Sequence, residues 1–235
     1  MNRSAFLFSS ASLAAAGSAV SSAATIPGGT HLVERAQDFD AAAFARILGR
    51  PARIRQLVES VAFKPAMLNN VKNAFNGLQF GFGYPADAIA VAFANHGPSS
   101  AYGYSDEMWR KYRIGEFLSI VDAQGAPLTA NVYYPAASSY HPSDDPDDVH
   151  GMYQDTSIAM LQRRGAVVLA CHTAIEEQSR AIVVKGFAPA GAQPQDVAAD
   201  LLTHLIPGAV VVPSMVAAIA VLQADYHYAY LTLTF

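Results

Sequence analysis

Two hydrophobic periods alternate along the chain. Leu68, Val71, Phe75 and Leu78 are spaced three and four residues apart, which is the period of a helix that packs one face on a core. Residues 88–94 instead form a continuous apolar run, which is typical of a strand covered on both faces in a parallel sheet. This change of period predicts helices and strands in alternation.

The same pattern extends over most of the chain. Further strands are predicted at residues 53–63, 165–170, 208–213 and 226–235, the last rich in aromatic and β-branched residues. Further helices are predicted at 41–48, 105–120, 154–164, 173–184, 196–205 and 215–222. Alternating strands and helices favour a flavodoxin-like α/β fold, a three-layer α/β/α arrangement with a mostly parallel sheet.

The domain organisation follows from the two unpatterned stretches. Residues 1–24 carry one charge, Arg3, and an apolar run that closes on small residues, which predicts a cleaved signal peptide. An uncleaved N-terminal anchor is the alternative. Residues 25–51 form a leader with a short helix, and residues 52–235 form one α/β domain. Residues 122–151, rich in Gly, Pro, Ser and Asp, are interpreted as a surface excursion from that domain.

Composition and charge limit the possible functions. The chain has 235 residues, of which 52% are hydrophobic and 14% are charged, so it can form a packed core. Its net charge is −4 and its Lys and Arg residues are dispersed, which argues against nucleic acid as a partner. The same dispersion argues against a polybasic membrane surface, and no stable membrane insertion is expected after signal removal. The periplasm or another exported location is predicted.

Cys171 is the only cysteine, and it follows the predicted strand 165–170 directly. Thr173 and Glu176 have the spacing of a capping box, so a helix is expected to begin just after the thiol. In open α/β sheets the carboxyl edge of the strands is the usual ligand site. A single cysteine in an exported protein is a buried inert residue, a reactive thiol or an intermolecular link.

Other side chains at predicted strand ends extend this candidate site. His96 follows one strand as Cys171 follows another, so the two are expected to converge, with His96 as a general base or a ligand-binding residue. His172 can assist the thiol either as a protonated ring beside it or by accepting its proton. Gly97, Thr173 and Ser214 are the candidate ligand-binding residues, and Ser214 is also a candidate helix cap. For His96, a structural hydrogen bond at the strand end is the simpler alternative.

Metal and cofactor chemistry are not predicted. Residues 141–150 hold two histidines and four aspartates, but their spacing matches no known ligand pattern and is typical of a solvated loop. Motifs for dinucleotides, for phosphates, for a hydrolase serine and for a dithiol are absent from the sequence. Trp109 and the tyrosines of 226–230 are expected to be core or subunit-contact residues.

Four segments resemble exported members of the DsrE/DsrF-like family, which is related to sulfur-relay proteins. These segments are Asn95-His96-Gly97, residues 108–116, Ala170-Cys171-His172-Thr173-Ala174, and residues 205–214. The resemblance covers about residues 52–235. It rests on the order in which the four segments occur along the chain. It implies a three-layer α/β/α domain, homo-oligomers, and a cysteine that carries sulfur as a persulfide. The matched members commonly have Asn where this chain has Thr173.

The resulting expectation is an exported protein that accepts or transfers sulfur, or acts as a thiol redox protein, through Cys171. A small sulfur compound or a sulfur-donor protein is the expected partner, besides other copies of the chain. The alternative is a non-catalytic module for small-ligand binding or assembly in which Cys171 is structural.

Overall fold

The computed structural model describes residues 33–36, 39–136 and 140–232, so the predicted signal peptide lies outside the described residues. These residues include five strands: β1 (Ile54–Ser60), β2 (Ile89–Asn95), β3 (Ala166–Cys171), β4 (Val210–Val212) and β5 (Ala229–Thr232). The helices are α1 (Ala41–Leu48), α2 (Ala66–Asn76), α3 (Asp106–Lys111), α4 (Ile114–Leu118), α5 (Ile158–Arg163), α6 (His172–Val184), α7 (Pro194–Thr203) and α8 (Met215–Ala224).

The five strands form one sheet in the order β4-β3-β2-β1-β5, and every pair is parallel. Helices flank this sheet, which confirms the predicted α/β class and is consistent with a three-layer, flavodoxin-like fold. Among the described residues no helix is long and apolar enough to cross a membrane.

The central strand β2 is buried along its whole length. On one face it presents Ala90, Ala92 and Ala94 to a core cluster that includes residues of α1 and α8. On the other face Ile89, Val91 and Phe93 belong to a cluster with residues of α2 and α5. Alternate strand residues point to opposite faces, so one apolar run supplies both cores.

The connections place two helix beginnings beside each other at the carboxyl edge. β3 continues into α6, whose Ile175 and Ile182 share a core cluster with Ala170 of β3. β4 continues into α8, which packs on the opposite face of the sheet with Cys171. When two adjacent strands continue into helices on opposite faces of the sheet, a crevice forms between the strand ends. This crevice is the usual ligand position in open α/β sheets. Here that crevice lies between the ends of β3 and β4.

Several predicted boundaries were wrong. The single helix expected at 105–120 is two short helices, because Arg113 between them has a left-handed backbone with φ of 46°. The helix expected from 154 begins at Ile158, because the Ser157 hydroxyl accepts the Met160 N–H as its cap. The strands predicted at 53–63 and 208–213 are shorter at both ends. The strand predicted at 226–235 begins later, at Ala229, and residues 233–235 lie outside the described residues. Trp109 is a core residue, which is one of the two roles expected for it.

A close backbone approach at Gly115 supports the second short helix. A Cβ on Gly115 would overlap the Leu128 backbone, whereas a Cβ on Gly77, at the end of α2, would meet no atom within 4 Å. We expect Gly115→Ala to lower the free energy of unfolding by about 2–3 kcal/mol because the backbone must move. The matched change Gly77→Ala should raise it by about 0.5–1 kcal/mol, since Gly77 has helical angles.

Urea denaturation of the two variants beside the wild type measures both effects. Equal stability of the Gly115→Ala variant and the wild type would contradict this account of the α4 packing.

Candidate functional site

The sulfur of Cys171 occupies the N-terminal cap of α6. Its Sγ accepts the backbone N–H of Ala174 at 3.4 Å, and it also accepts the N–H of Met215, the first residue of α8, at 3.2 Å. The predicted capping box of Thr173 and Glu176 is therefore wrong, since the helix begins at His172 and the thiol itself is the cap. Cysteine thus occupies the N-cap position of α6, where Ser, Thr, Asp or Asn is the usual residue.

This arrangement gives the sulfur an environment suited to negative charge. The first amides of a helix point outward and carry the positive end of the helix dipole, and two helices supply them here. Thiolate is the reactive form of cysteine in nucleophilic and redox chemistry. The nearby carboxylate of Glu176 opposes this charge little, because it lies beyond the first turn of α6 and 3.5 Å from Arg180. Only 4% of Cys171 is exposed.

The residues next to Cys171 have mainly positioning roles. The Thr173 hydroxyl donates to the Pro213 carbonyl at 3.0 Å, so it joins the start of α6 to the end of β4. Ser214 precedes α8 at the predicted cap position, but its side chain makes no capping hydrogen bond. His172 is the first residue of α6 and is buried. The structure thus brings Cys171, Thr173 and Ser214 together at the β3–β4 crevice.

His96 lies on the same edge of the sheet and bonds toward β1. Its Nε2 is 2.8 Å from Oε1 of Glu59, and the Tyr230 hydroxyl of β5 donates to Oε2 of the same carboxylate. Since β1 and β3 lie on opposite sides of β2, this hydrogen bond turns the imidazole away from the Cys171 strand. These contacts therefore do not bring His96 and Cys171 to one pocket, which differs from the expectation.

Gly97 connects the two parts of the edge. It begins a 3₁₀ turn with φ of 58°, and its carbonyl accepts a hydrogen bond from the Gln178 side chain of α6. Gln178 also accepts the Tyr104 hydroxyl at 2.8 Å. Burial, and secondarily the nearby sulfur of Cys171, raise the pKa of Tyr104. A buried polar chain therefore runs from beside Cys171 to the residue that follows His96.

The electrostatics of the Glu59 cluster favour a charged carboxylate. Burial alone would raise the pKa of Glu59, but hydrogen bonds from Tyr230 and His96 and the attraction of His96 outweigh it, so the pKa lies below its ordinary value of 4.5. The hydrogen bond to Glu59 in turn raises the pKa of Tyr230. Because an ionised carboxylate only accepts hydrogen bonds, Nε2 is the protonated nitrogen of His96 in this pair.

Sequence reasoning missed Glu59, Tyr230 and Met215. An acidic residue that directly follows the buried pair Leu57 and Val58 was the available signal for Glu59, which is only 9% exposed. Tyr230 was interpreted as a core or contact residue because a tyrosine stripe looks the same in either role. Met215 acts through its backbone N–H, and side-chain patterns carry no information on which amide faces a sulfur.

We expect Glu59→Gln to reduce stability at pH 7 by about 1–3 kcal/mol, since it weakens charge-assisted hydrogen bonds to His96 and Tyr230. A carboxyl whose folded pKa is lowered stabilises the fold above the unfolded pKa, and this contribution is lost as pH falls through the folded value. The stability difference between wild type and variant should therefore shrink below about pH 4.5.

Denaturant unfolding from pH 7 down to pH 3 measures this difference. Exposed Glu107 provides the control, because Glu107→Gln should leave stability within about 0.5 kcal/mol. A difference for Glu59→Gln that stays constant with pH would refute the assigned role.

No family model, no curated protein and no solved structure matches the chain.

Proposed function

We propose that the protein accepts sulfur on Cys171 and holds it as a persulfide, or reacts there as a redox thiol. The observation that supports this proposal is the position of Sγ in the β3–β4 crevice, where it accepts hydrogen bonds from backbone N–H groups at the beginnings of α6 and α8. Both donors belong to the folded backbone, so they stabilise negative charge without reorganisation. The crevice is also the position where an open α/β sheet ordinarily binds its ligand.

The proposed step is a sulfur transfer that is balanced in atoms and electrons. The Cys171 thiolate attacks the outer sulfur of a persulfide, a polysulfide or thiosulfate, forming an Sγ–S bond while the S–S bond of the donor breaks. The bonding electrons leave with the remaining donor fragment, which departs as a thiolate, a shorter polysulfide or, from thiosulfate, sulfite. With 4% of Cys171 exposed, a small donor fits this access better than a folded sulfur-donor protein.

The wider proposal places the chain among exported DsrE/DsrF-like proteins. It is supported by the order of four segments, from Asn95-His96-Gly97 to residues 205–214, and by a sheet of the kind that this resemblance implies. Export is supported by the charge pattern of residues 1–24.

A non-catalytic assembly or ligand-binding module is the second candidate. The burial of Cys171 favours it, because a free cysteine within a core cluster also serves simply as a small packing residue. Alkylation under native conditions separates the two functions. A thiol that reacts with a small alkylating agent only after denaturation would support the structural role.

Intact-mass spectrometry after exposure to polysulfide or thiosulfate tests the sulfur-acceptor proposal. We expect the wild type to gain the mass of one or more sulfur atoms and to lose it on reduction. Cys171→Ser should gain none. An unchanged wild type, or the same gain on the Ser variant, would overturn the proposal.

A pair of variants at position 215 tests the contribution of the α8 amide. Met215→Pro and Met215→Ala both remove the buried side chain, but only proline also removes the N–H that reaches Sγ. Proline is well tolerated at the first position of a helix. We expect the proline variant to react with polysulfide roughly tenfold more slowly than the alanine variant, because a hydrogen bond to a charged sulfur is lost.

Single-turnover rates followed by mass spectrometry give this ratio. Equal rates for the two variants would show that the α8 amide has no part in the reaction.

A further inference from the structure

A buried guanidinium lies at the edge of the sheet opposite to Cys171. Arg164 directly follows α5 and precedes β3, the strand that ends at Cys171. A strand of six residues spans about 20 Å, so the two side chains belong to separate places in the fold. The terminal nitrogens of Arg164, Nη1 and Nη2, are both buried, and within the described part of the chain neither donates a hydrogen bond. Buried polar groups of this kind ordinarily have an acceptor.

Aromatic rings contact this guanidinium but do not replace an acceptor. The Cζ atom of Arg164 lies 5.0 Å from the ring centre of Phe75 in α2 and 5.1 Å from that of Tyr153. The faces of these rings attract the charge, but they offer no oxygen to the N–H groups. Burial lowers the pKa of Arg164 to about 10, so the group still carries its charge at pH 7.

A second cation lies close to the first. Burial, and then the repulsion of Arg164, lower the pKa of Lys72 in α2. The Nζ atom of Lys72 donates to the side-chain oxygen of Gln154 at 2.9 Å, which is an uncharged acceptor. The ion pairs found between described residues include neither Arg164 nor Lys72. Two like charges in partly desolvated surroundings repel each other, and an anion beside both would remove that repulsion.

We propose that Arg164 and Lys72 bind a small tetrahedral oxyanion of the phosphate or sulfate class. A guanidinium presents two parallel N–H groups that match two oxygens of such an anion, and the ammonium of Lys72 adds a point charge. Two cations favour an anion with two negative charges over a carboxylate with one. Residues of α2 and α5 share one core cluster, which holds the two cations at a fixed separation.

The ring of Tyr153 is the movable cover of this site. Tyr153 lies in an irregular segment before α5, and its ring meets the ring of Phe80, which is 44% exposed, at 4.8 Å between centres. The Tyr153 carbonyl accepts the Asn76 side-chain N–H at 2.8 Å, so its backbone stays on α2 while the ring turns outward. Phe75 is a core residue and keeps its place. The turn opens Nη1 and Nη2 of Arg164 to the anion.

Thermal unfolding of the full chain tests the site, with sodium phosphate, sulfate, acetate and chloride compared at pH 7 and equal ionic strength. We expect phosphate and sulfate to raise the Tm of the wild type in a saturable way, and acetate to act like chloride. Arg164→Met should abolish the saturable shift, and Lys72→Met should raise the half-saturating concentration roughly tenfold. The matched control is Arg163→Met, which removes an exposed neighbouring charge and should keep the shift.

The stability without phosphate or sulfate distinguishes anion binding from a purely structural guanidinium. A buried charge without a partner is unfavourable, so Arg164→Met in chloride should be at least as stable as the wild type. A lower Tm of this variant in chloride, with no saturable shift in the wild type, would show that the ring contacts only support the fold. That result would overturn the proposal. So would a shift of equal size with acetate, a shift that persists in Arg164→Met, or its loss in Arg163→Met.

Chemical modification locates the anion without a substitution, and it decides the matter even if Arg164→Met does not fold. Phenylglyoxal reacts with accessible arginine side chains, and peptide mass mapping gives the rate at each position. At four times its dissociation constant, phosphate should slow the modification of Arg164 about fivefold and leave that of Arg163 unchanged. Tyr153→Ala should accelerate the reaction of Arg164 in chloride. Equal rates at Arg164 with and without phosphate would overturn the proposal. None of these measurements depends on sulfur chemistry at Cys171.

Discussion

The double burial of β2 is the constraint on which the rest of the structure depends. Seven consecutive residues of this strand are removed from water, and their backbone groups are satisfied by parallel ladders to β1 and β3. The alanines on one face admit α1 and α8, and the larger side chains on the other face pack with α2 and α5. With both faces covered, polar chemistry is left to the ends of the strands.

The carboxyl edge collects this chemistry in two groups with different physical bases. At the β3–β4 crevice the interaction is between backbone amides and a sulfur, and its strength comes from two helix beginnings. At β1, β2 and β5 it is a carboxylate, an imidazole and a phenol, held by the register of three adjacent strands. The second group joins the short edge strand β5 to the centre of the sheet. The Tyr104–Gln178–Gly97 contacts connect the two groups through the interior.

α8 has a part in both the thiol site and the core. Its first amide donates to Cys171, and its Met215, Ala218 and Leu222 side chains lie in the same core cluster as Cys171. The packing of this cluster therefore holds in place the helix that supplies one hydrogen bond to the sulfur. Core packing and the geometry of the thiol are coupled through a single element.

The sequence by itself determined the α/β class, the approximate positions of the five strands, and the placement of Cys171, His96 and Ser214 at strand ends, because the two hydrophobic periods and the residues that interrupt them are local properties. Tertiary structure decided which polar groups meet. Glu59 reaches His96 and Tyr230 only because β1 lies between β2 and β5, and the Met215 amide reaches Cys171 across forty-four positions of the chain. Tertiary structure also shows that the predicted Thr173 capping box is wrong, because Sγ of Cys171 accepts the Ala174 amide at the start of α6. Strand order and helix entry arise from long-range packing, which local spacing does not encode.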